Sequence, residues 1–543
     1  MPMFPIDVKC LPKRTLPVIV AHKCIKYSDS SEIHSEFSVR QDEVPLQSGK
    51  KIVTIPEIVQ FLCPNYWSQK FMSQLPDYVA SAKPNPKESR APWLTTTAAT
   101  YAGVMLWFVF WSSLPSGGVG AAGGVLSQGI LFALISLVIA AFICYFCFYH
   151  VPGMLGMKTG LPLYIVGTST YGVTGGFLMP GFLMGCLQFG WLSVNGYFAG
   201  LGLALIAGHE AGSAMHMGIG IVWALLAAFI GLKGIKYVGM VASYMPIIPI
   251  AALLYLLYCS VGGVGAFNPD YAVELSRTAA NDPSLGRVTL YGSGMIGSLS
   301  GQLGVLSLIC AYVVGFFATA GAAGCDFGSN NKDRKAVIMG GLVGIAGVTI
   351  FAGGIALIAA AGMQEKLAGA LNPYDNMKLI MGEPIGGVFM LLLALAAFPS
   401  ACFSTLIAAN SFKTTLPKTN PFISCGIGAA VACLLIVTGW AGDAGAVFGF
   451  IGASFGPVCG AMMADYLLAG KKWAGPRAGF NPAGWISWVV GFFVGGAPLV
   501  GYYADVIPCP PVSAFVVGFV LYWLLAKVGL ESKKLDMPQR IDR

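Results

Sequence analysis

From about residue 98 onward, apolar runs of roughly 20 residues alternate with short stretches carrying Gly, Pro, Asn or charge. A helix of that length crosses the hydrocarbon core of a bilayer, whereas a membrane strand would betray itself by strict alternation, which is scarce here. The spacing predicts twelve helices, near 98–122, 128–149, 176–204, 215–232, 236–261, 296–321, 336–362, 385–410, 421–441, 444–469, 479–503 and 510–529. Residues 1–95 do not share the pattern: charge is mixed, Pro is scattered, and apolar runs such as Leu16 to Ala21 are short.

Composition turns this pattern into a solvent assignment. Apolar residues make up 56% of the chain, charged residues only 10%, and the mean hydropathy is +0.72. A water-facing surface cannot be built from that balance, so the lipid bilayer is the expected partner and an all-α polytopic membrane protein the expected class. The 71 Gly residues fit close packing of membrane helices. The 14 Cys are scattered, and the close pair Cys144 and Cys147 falls inside a span, where small apolar packing residues are expected rather than a metal or redox centre.

With the N-terminus inside, the inner loops hold Lys158, Lys233, Lys236, Lys332, Arg334, Lys335, Lys413, Lys418, Lys471, Lys472 and Arg477, and the outer loops only Arg277, Arg287, Lys366 and Lys378. That bias places both termini in the cytoplasm of a cell-membrane protein. It also accounts for the net charge of +8 without nucleic acid as a partner. No secretory signal is visible; residues 1–95 read as a polar, disordered tail, of which 1–71 reads as an over-long start or a disordered extension, with a regulatory domain as the alternative.

Transporters often bind their solute where a membrane helix is interrupted, because interruption frees backbone groups. Two spans suggest this. The first contains Trp107 to Trp111, then Ser112, Ser113, Leu114, Pro115, Ser116, Gly117 and Gly118, and a break is expected at Pro115 and the paired glycines. The sixth contains Gly315, Phe316, Phe317, Gly321 and Gly324, again small and Gly-interrupted. The two occupy matching positions in two sets of five helices.

On the third span, Gln188, Trp191 and Asn195 stand at i, i+3 and i+7, which is one face of a helix. Amides in a membrane need partners; beside an indole they suit the edge and face of a planar heterocycle, and interhelical hydrogen bonding is the other reading. Asp326 and Asp465 lie near inner helix ends, where capping or contact with loop bases is expected. His209 and Glu210 fall in an outer loop.

These segments resemble the nucleobase–cation symporter family of cytosine permeases, hydantoin transporters and purine–cytosine permeases. The likeness covers about residues 92–530. It is carried by Gly190-Trp191-Leu192-Ser193-Val194-Asn195 and by Gly315-Phe316-Phe317 running to Asp326-Phe327. Met157-Lys158-Thr159-Gly160, Phe455-Gly456-Pro457 and Met463-Ala464-Asp465-Tyr466 add to it, and the segment from Met72 is similar to the start of bacterial permeases. The resemblance implies a LeuT-type core of two inverted five-helix repeats, 96–262 and 263–470, two extra helices within 471–530 and a cytoplasmic tail, 531–543. It implies a substrate between helices 1, 3, 6 and 8, with Trp191 and Phe317 as aromatic walls and Phe316 as the alternative. Gly315 would leave backbone open to the ring edge, and Gln188, Asn195, Ser113 and Ser404 would complete the substrate set. Ser112, Ser113 and Ser400 would serve a cation. At helix 8, Pro399 and Phe403 depart from the family's hydroxyl and amide pattern, which bears on both sodium coupling and cytosine itself.

The expected function is import of a small planar heterocycle, a nucleobase such as cytosine or a purine, by cation-coupled alternating access in a monomer. Sodium stands slightly ahead of a proton because no carboxylate sits clearly at the midplane, and no cofactor or other metal is expected. An uncoupled facilitator, or a symporter for a hydantoin or pyrimidine vitamin precursor, is the alternative. A membrane enzyme is not expected, since no nucleophile, acid–base pair or metal cluster lies at depth.

Overall fold

A computed structural model describes residues 75–116, 124–233, 245–269, 299–364, 366, 373–416, 418–501 and 507–537. The chain divides into the units Met1–Cys63 and Pro64–Arg543, and the first lies outside the described residues. So do Gly117, Gly118, Lys236, Arg277 and Arg287.

The first membrane helix comes in two pieces, α1a (Ala99–Met105, entered through a wider turn over Leu94–Ala98) and α1b (Phe108–Ser113). Then follow α2 (Ile130–Thr159), α3 (Val173–Ile206), α4 (Ala214–Lys233), α5 (Ile247–Ser260) and α6 (Leu299–Ala322). The second half holds α7 (Arg334–Gly362), α8 (Glu383–Thr415), α9 (Pro421–Val437), α10 (Ala444–Leu468), α11 (Pro482–Gly496) and α12 (Pro510–Lys527). Among the described residues ten helices are long and apolar enough to cross a membrane; with the shorter α9 and the divided α1 they match the twelve expected spans. Among the described residues there is no strand, only isolated bridges at Ala91–Asn331 and Arg477–Lys534.

The outward faces of these helices are apolar, the reverse of a soluble protein. Along α2, Leu131, Ile135, Ile139, Phe142 and Phe146 are exposed at three- and four-residue spacing, which makes one lipid-facing stripe. The inward faces sort into two groups. α3, α4, α8 and α9 pack on one another around Phe189, Leu192, Ala224, Cys402 and Phe412, while α2, α6, α7, α10 and α12 share the larger core. Close approach within the first group depends on small residues: a Cβ on Gly200 of α3 would stand 2.8 Å from the backbone nitrogen of Gly220 on α4. α5 bridges the groups through α7 and α8.

The tail expected to be disordered is ordered in its last part. Residues 75–93 lie against the ends of α2 and the segment after α6: Asn85 N–H donates to Gly160 O at 2.8 Å, Arg90 Nη1 to Met157 O at 2.6 Å, and Ala91 N–H to Asn330 O at 2.9 Å. Polar composition alone misleads there, because the backbone and a guanidinium find fixed carbonyl partners at the helix ends. Residues 531–537 likewise dock on the α10–α11 loop, through Ala478 N–H to Lys533 O and Leu535 N–H to Pro476 O, both at 2.8 Å.

Candidate functional site

α1 breaks at Trp107, eight residues before the Pro115 expected from the sequence. Leu106 closes α1a, Trp107 is extended (φ −61°, ψ 125°), and α1b starts at once. No Gly or Pro stands at the break, and the two rings beside it rest on distant parts of the chain. The Trp107 ring lies over Phe316 (centroids 6.0 Å, planes 30° apart), and Phe108 stacks on Tyr374 at 4.3 Å. These contacts hold the side chains on either side of the break against other parts of the chain. The carbonyls near the break find side-chain donors: Leu106 O accepts from Trp111 Nε1 at 3.2 Å and Val109 O from the Tyr312 hydroxyl of α6 at 3.2 Å. Pro115 follows the end of α1b.

Around the break four aromatic side chains meet. Trp191 of α3 lies 5.5 Å from Trp107, 4.8 Å from Phe316 of α6 in an edge contact, and 5.3 Å from Phe448 of α10. Phe316 and Phe448 meet edge to face at 5.1 Å. Gly315 explains how α10 comes so near: a Cβ there would be 2.6 Å from the Phe448 carbonyl. The polar partner within the cluster is Thr319, whose Oγ1 accepts the Trp191 indole N–H at 3.2 Å. Trp107, Thr319 and Phe448 were not singled out by sequence. Trp107 lacks a breaker beside it, and Phe448 is distant in the chain; the small residues Gly449 and Gly452 around it are the one local signal of a close crossing.

The residues expected from sequence divide. Trp191 and Phe316 come together. Phe317 does not join them; it is buried against Tyr101 of α1a at 5.5 Å, on another face of α6. Gly315 sits inside an unbroken α6 and serves the crossing with α10 instead of opening backbone to a ligand. Gln188 is buried with Nε2 3.6 Å from Met184 Sδ of its own helix. Asn195 ties helices together: Nδ2 donates to Ser400 Oγ (2.9 Å) and Ala397 O (3.0 Å) of α8, while Oδ1 accepts from Trp223 Nε1 of α4 at 3.1 Å. That leaves little of the amide for a substrate edge. Ser404 Oγ donates within α8 to Ser400 O at 3.3 Å.

The hydroxyls of the expected cation set each have a local partner. Ser400 Oγ donates to Ala397 O at 2.7 Å and accepts from Asn195, Ser112 Oγ faces Val109 O at 3.5 Å, and Ser113 lies beside the Tyr312 hydroxyl. Among the described residues no group of His, Cys, Asp and Glu could hold a metal ion.

At the end of the bundle rich in Lys and Arg, Asp465 is buried against Arg477 at 2.9 Å. Ser169 Oγ (2.6 Å), Thr170 Oγ1 (3.2 Å) and the Tyr522 hydroxyl (3.1 Å) also donate to its carboxylate. Arg477 reaches on to the Ser169 carbonyl and, at 2.6 Å, to Glu531. Asp326 accepts the Leu163 N–H at 3.2 Å and lies beyond the membrane part of α6 (Gly301–Ala322); burial pushes its carboxyl up to about 6.

Residues 92–475 match the model of a family described as permeases for cytosine/purines, uracil, thiamine and allantoin, which is well over half of the chain. The chain belongs to this permease family. It is therefore a multi-pass membrane transporter and not an enzyme. No curated protein sequence matches it. Among solved structures, the inward-facing conformation of Mhp1 is 17% identical, with 85% of this chain and 96% of that one covered and a TM-score of 0.59. Mhp1 in a closed conformation with bromovinylhydantoin bound, described as a nucleobase-cation-symport-1 family transporter, is 16% identical over 83% and 97%, with a TM-score of 0.53. A substrate-bound, outward-open, Na+-coupled sialic acid symporter is 13% identical over 87% and 95%, with a TM-score of 0.51. These likenesses establish the LeuT-type fold of this permease.

Proposed function

We propose that this permease imports a small planar heterocycle, a nucleobase such as cytosine or a purine, by alternating access at the ring cluster beside the α1 break. The observation that carries this reading is the convergence of Trp107, Trp191, Phe316 and Phe448 from α1, α3, α6 and α10. Flat aromatic walls favour a flat ligand whatever its sequence of ring atoms, on the order of 1–3 kcal/mol per stacked base in nucleic-acid proteins. The rings touch one another at 4.8–5.5 Å, so a ligand stacked between two of them must part them. That parting lies between two groups of helices, α3 with α4, α8 and α9 on one side and α6 with α10 on the other, as alternating access requires.

Residues 96–262 and 263–470 form the two repeats in this reading, supported by the wider turns that interrupt α2 over Cys144–Tyr149 and α7 over Leu342–Gly347, helices at matching positions. The Lys- and Arg-rich end faces the cytoplasm of a cell membrane, with both termini inside, and the protein works as a monomer. Coupling is to sodium ahead of a proton. One observation favours an uncoupled facilitator instead: the α8 hydroxyl of Ser400, a ligand in the sodium reading, is held by Asn195.

The experiment is ligand binding by thermal shift on the purified full-length protein, across nucleobases, hydantoins and pyrimidine vitamin precursors, in sodium and in choline, with Trp191→Ala beside wild type. A shift by one ring class, lost in Trp191→Ala, is expected. If no planar heterocycle binds, the reading fails; if binding and counterflow ignore every cation gradient, the facilitator replaces the symporter.

A further inference from the structure

Among the described residues five indoles have an acceptor: Trp111 on Leu106 O, Trp191 on Thr319, Trp223 on Asn195, Trp473 on Val166 O and Trp488 on Ser454 O. Trp107 does not. The residue is 8% exposed, and Nε1 is buried with no hydrogen-bond partner. Trp485 Nε1 is also without one, but it belongs to α11, beside Tyr171 and Phe480 and away from the ring cluster. Nearly all buried donors in folded proteins are paired, because an unpaired one forfeits its hydrogen bonds to water and gains nothing in return.

The position of this donor is what gives it meaning. Trp107 is the one extended residue between α1a and α1b, and its ring lies over Phe316 and beside Trp191. None of the acceptors described near the break takes it up: Leu106 O receives Trp111, Val109 O receives Tyr312, and Thr319 Oγ1 receives Trp191. An indole N–H can only donate. Whatever completes it from within the ring cluster must present an acceptor.

We infer that Trp107 is the residue that reads the edge of the substrate, and that the substrate class is a planar heterocycle carrying an exocyclic carbonyl oxygen on that edge, as in a 2-oxopyrimidine, a 6-oxopurine or a cyclic imide. The inference rests on the planar-heterocycle reading above and adds to it the discriminating group. Stacking on Trp191, Phe316 and Phe448 holds any flat ring; the Trp107 N–H rejects a ring that turns an N–H or C–H toward it, since the donor then stays buried and unpaired. An unprotonated ring nitrogen is the other acceptor chemistry, and the ligand pairs below separate it from a carbonyl.

The test uses full-length protein and matched ligands that differ by one oxygen: cytosine with 4-aminopyrimidine, uracil with pyrimidin-4-one, and hypoxanthine with purine. Affinities are measured for wild type and for Trp107→Phe, which keeps an aromatic ring and loses the donor. Wild type is expected to bind the oxo member of at least one pair about tenfold or more tightly, a margin of roughly 1.4 kcal/mol, and Trp107→Phe to level that pair. Its melting temperature without ligand is expected not to fall through loss of the N–H, which has no partner to lose. Three results overturn the inference while leaving the reading of the site intact: equal binding of every pair by wild type, a preference that survives in Trp107→Phe, or a selectivity that tracks ring nitrogens and not the oxygen. The first needs no variant, so the inference stays testable if Trp107→Phe does not fold. If no planar heterocycle binds wild type, the reading of the site fails and this inference falls with it.

Discussion

The Asn195 side chain donates to Ser400 Oγ at 2.9 Å while its carbonyl oxygen accepts the Trp223 indole N–H at 3.1 Å, so one amide joins α3 to both α8 and α4. Removing it leaves a buried indole donor and a carbonyl of α8 without their partner. Asn195→Ala is expected to lower stability by about 1–3 kcal/mol. Ser400→Ala should cost less, because Nδ2 keeps Ala397 O. Melting curves of the detergent-solubilised proteins check the order, and a larger loss in Ser400→Ala would show that the amide is not the tie.

Phe316 and Phe317 separate binding from packing. Phe316 touches Trp107, Trp191 and Phe448, whereas Phe317 lies on Tyr101. Phe316→Ala is therefore expected to weaken binding of any planar ligand about tenfold or more, the magnitude of one lost stacking partner. Phe317→Ala is expected to lower the melting temperature with a much smaller effect on affinity. Titration of both variants with the same ligand decides, and the opposite order would return Phe317 to the site.

How much of this could be read from the chain depends on the range of the cause. Membrane spans follow from local composition, and their number and order survive in the structure. Trp191 was legible because Trp191 and the amides share one helical face. The α1 break at Trp107 was not, since neither Gly nor Pro marks it and the rings beside it rest on α6 and on Tyr374, hundreds of residues away, whereas Pro115 marks the end of α1b. Phe316 and Phe317 differ by about 100° around α6, so a motif known to within one residue cannot choose between them. Asn195 looked like a ligand-reading residue for a similar reason: its partners on α8 lie 202 and 205 positions away.

Arg477 and Asp465 form a pair buried on both sides, with exposures of 3% and 4%, whereas Glu531 is 27% exposed. Breaking a buried pair by removing one partner leaves an uncompensated charge, which costs about 3–5 kcal/mol. Arg477→Ala is accordingly expected to destabilise the protein severely, also freeing the C-terminal residues that dock beside it, and Glu531→Gln to cost no more than about 1 kcal/mol. Thermal melts, with limited proteolysis of the C-terminal segment, provide the measurement. Equal effects for the two variants would place the weight of the network on the Glu531 contact instead.

Asp326 supplies a pH signature. Burial disfavours its charged form and lifts its carboxyl from the usual carboxylate range to about 6, with the Leu163 N–H working in the other direction. Because the folded value lies above the unfolded one, the native state holds the extra proton between the two values, and stability falls as pH rises through about 6. Asp326→Asn removes the buried charge and retains an oxygen to accept from Leu163. It is expected to melt higher than wild type at pH 7.5, by about 2–4 °C for each kcal/mol relieved, and to lose most of that advantage by pH 4.5. Asp375 is also lifted to about 6 by burial, so the wild-type curve alone cannot separate the two carboxyls, but the difference between variant and wild type can. A gain that persists unchanged at pH 4.5 would mean that Asn improves packing at this site and that ionisation of Asp326 is not the cause.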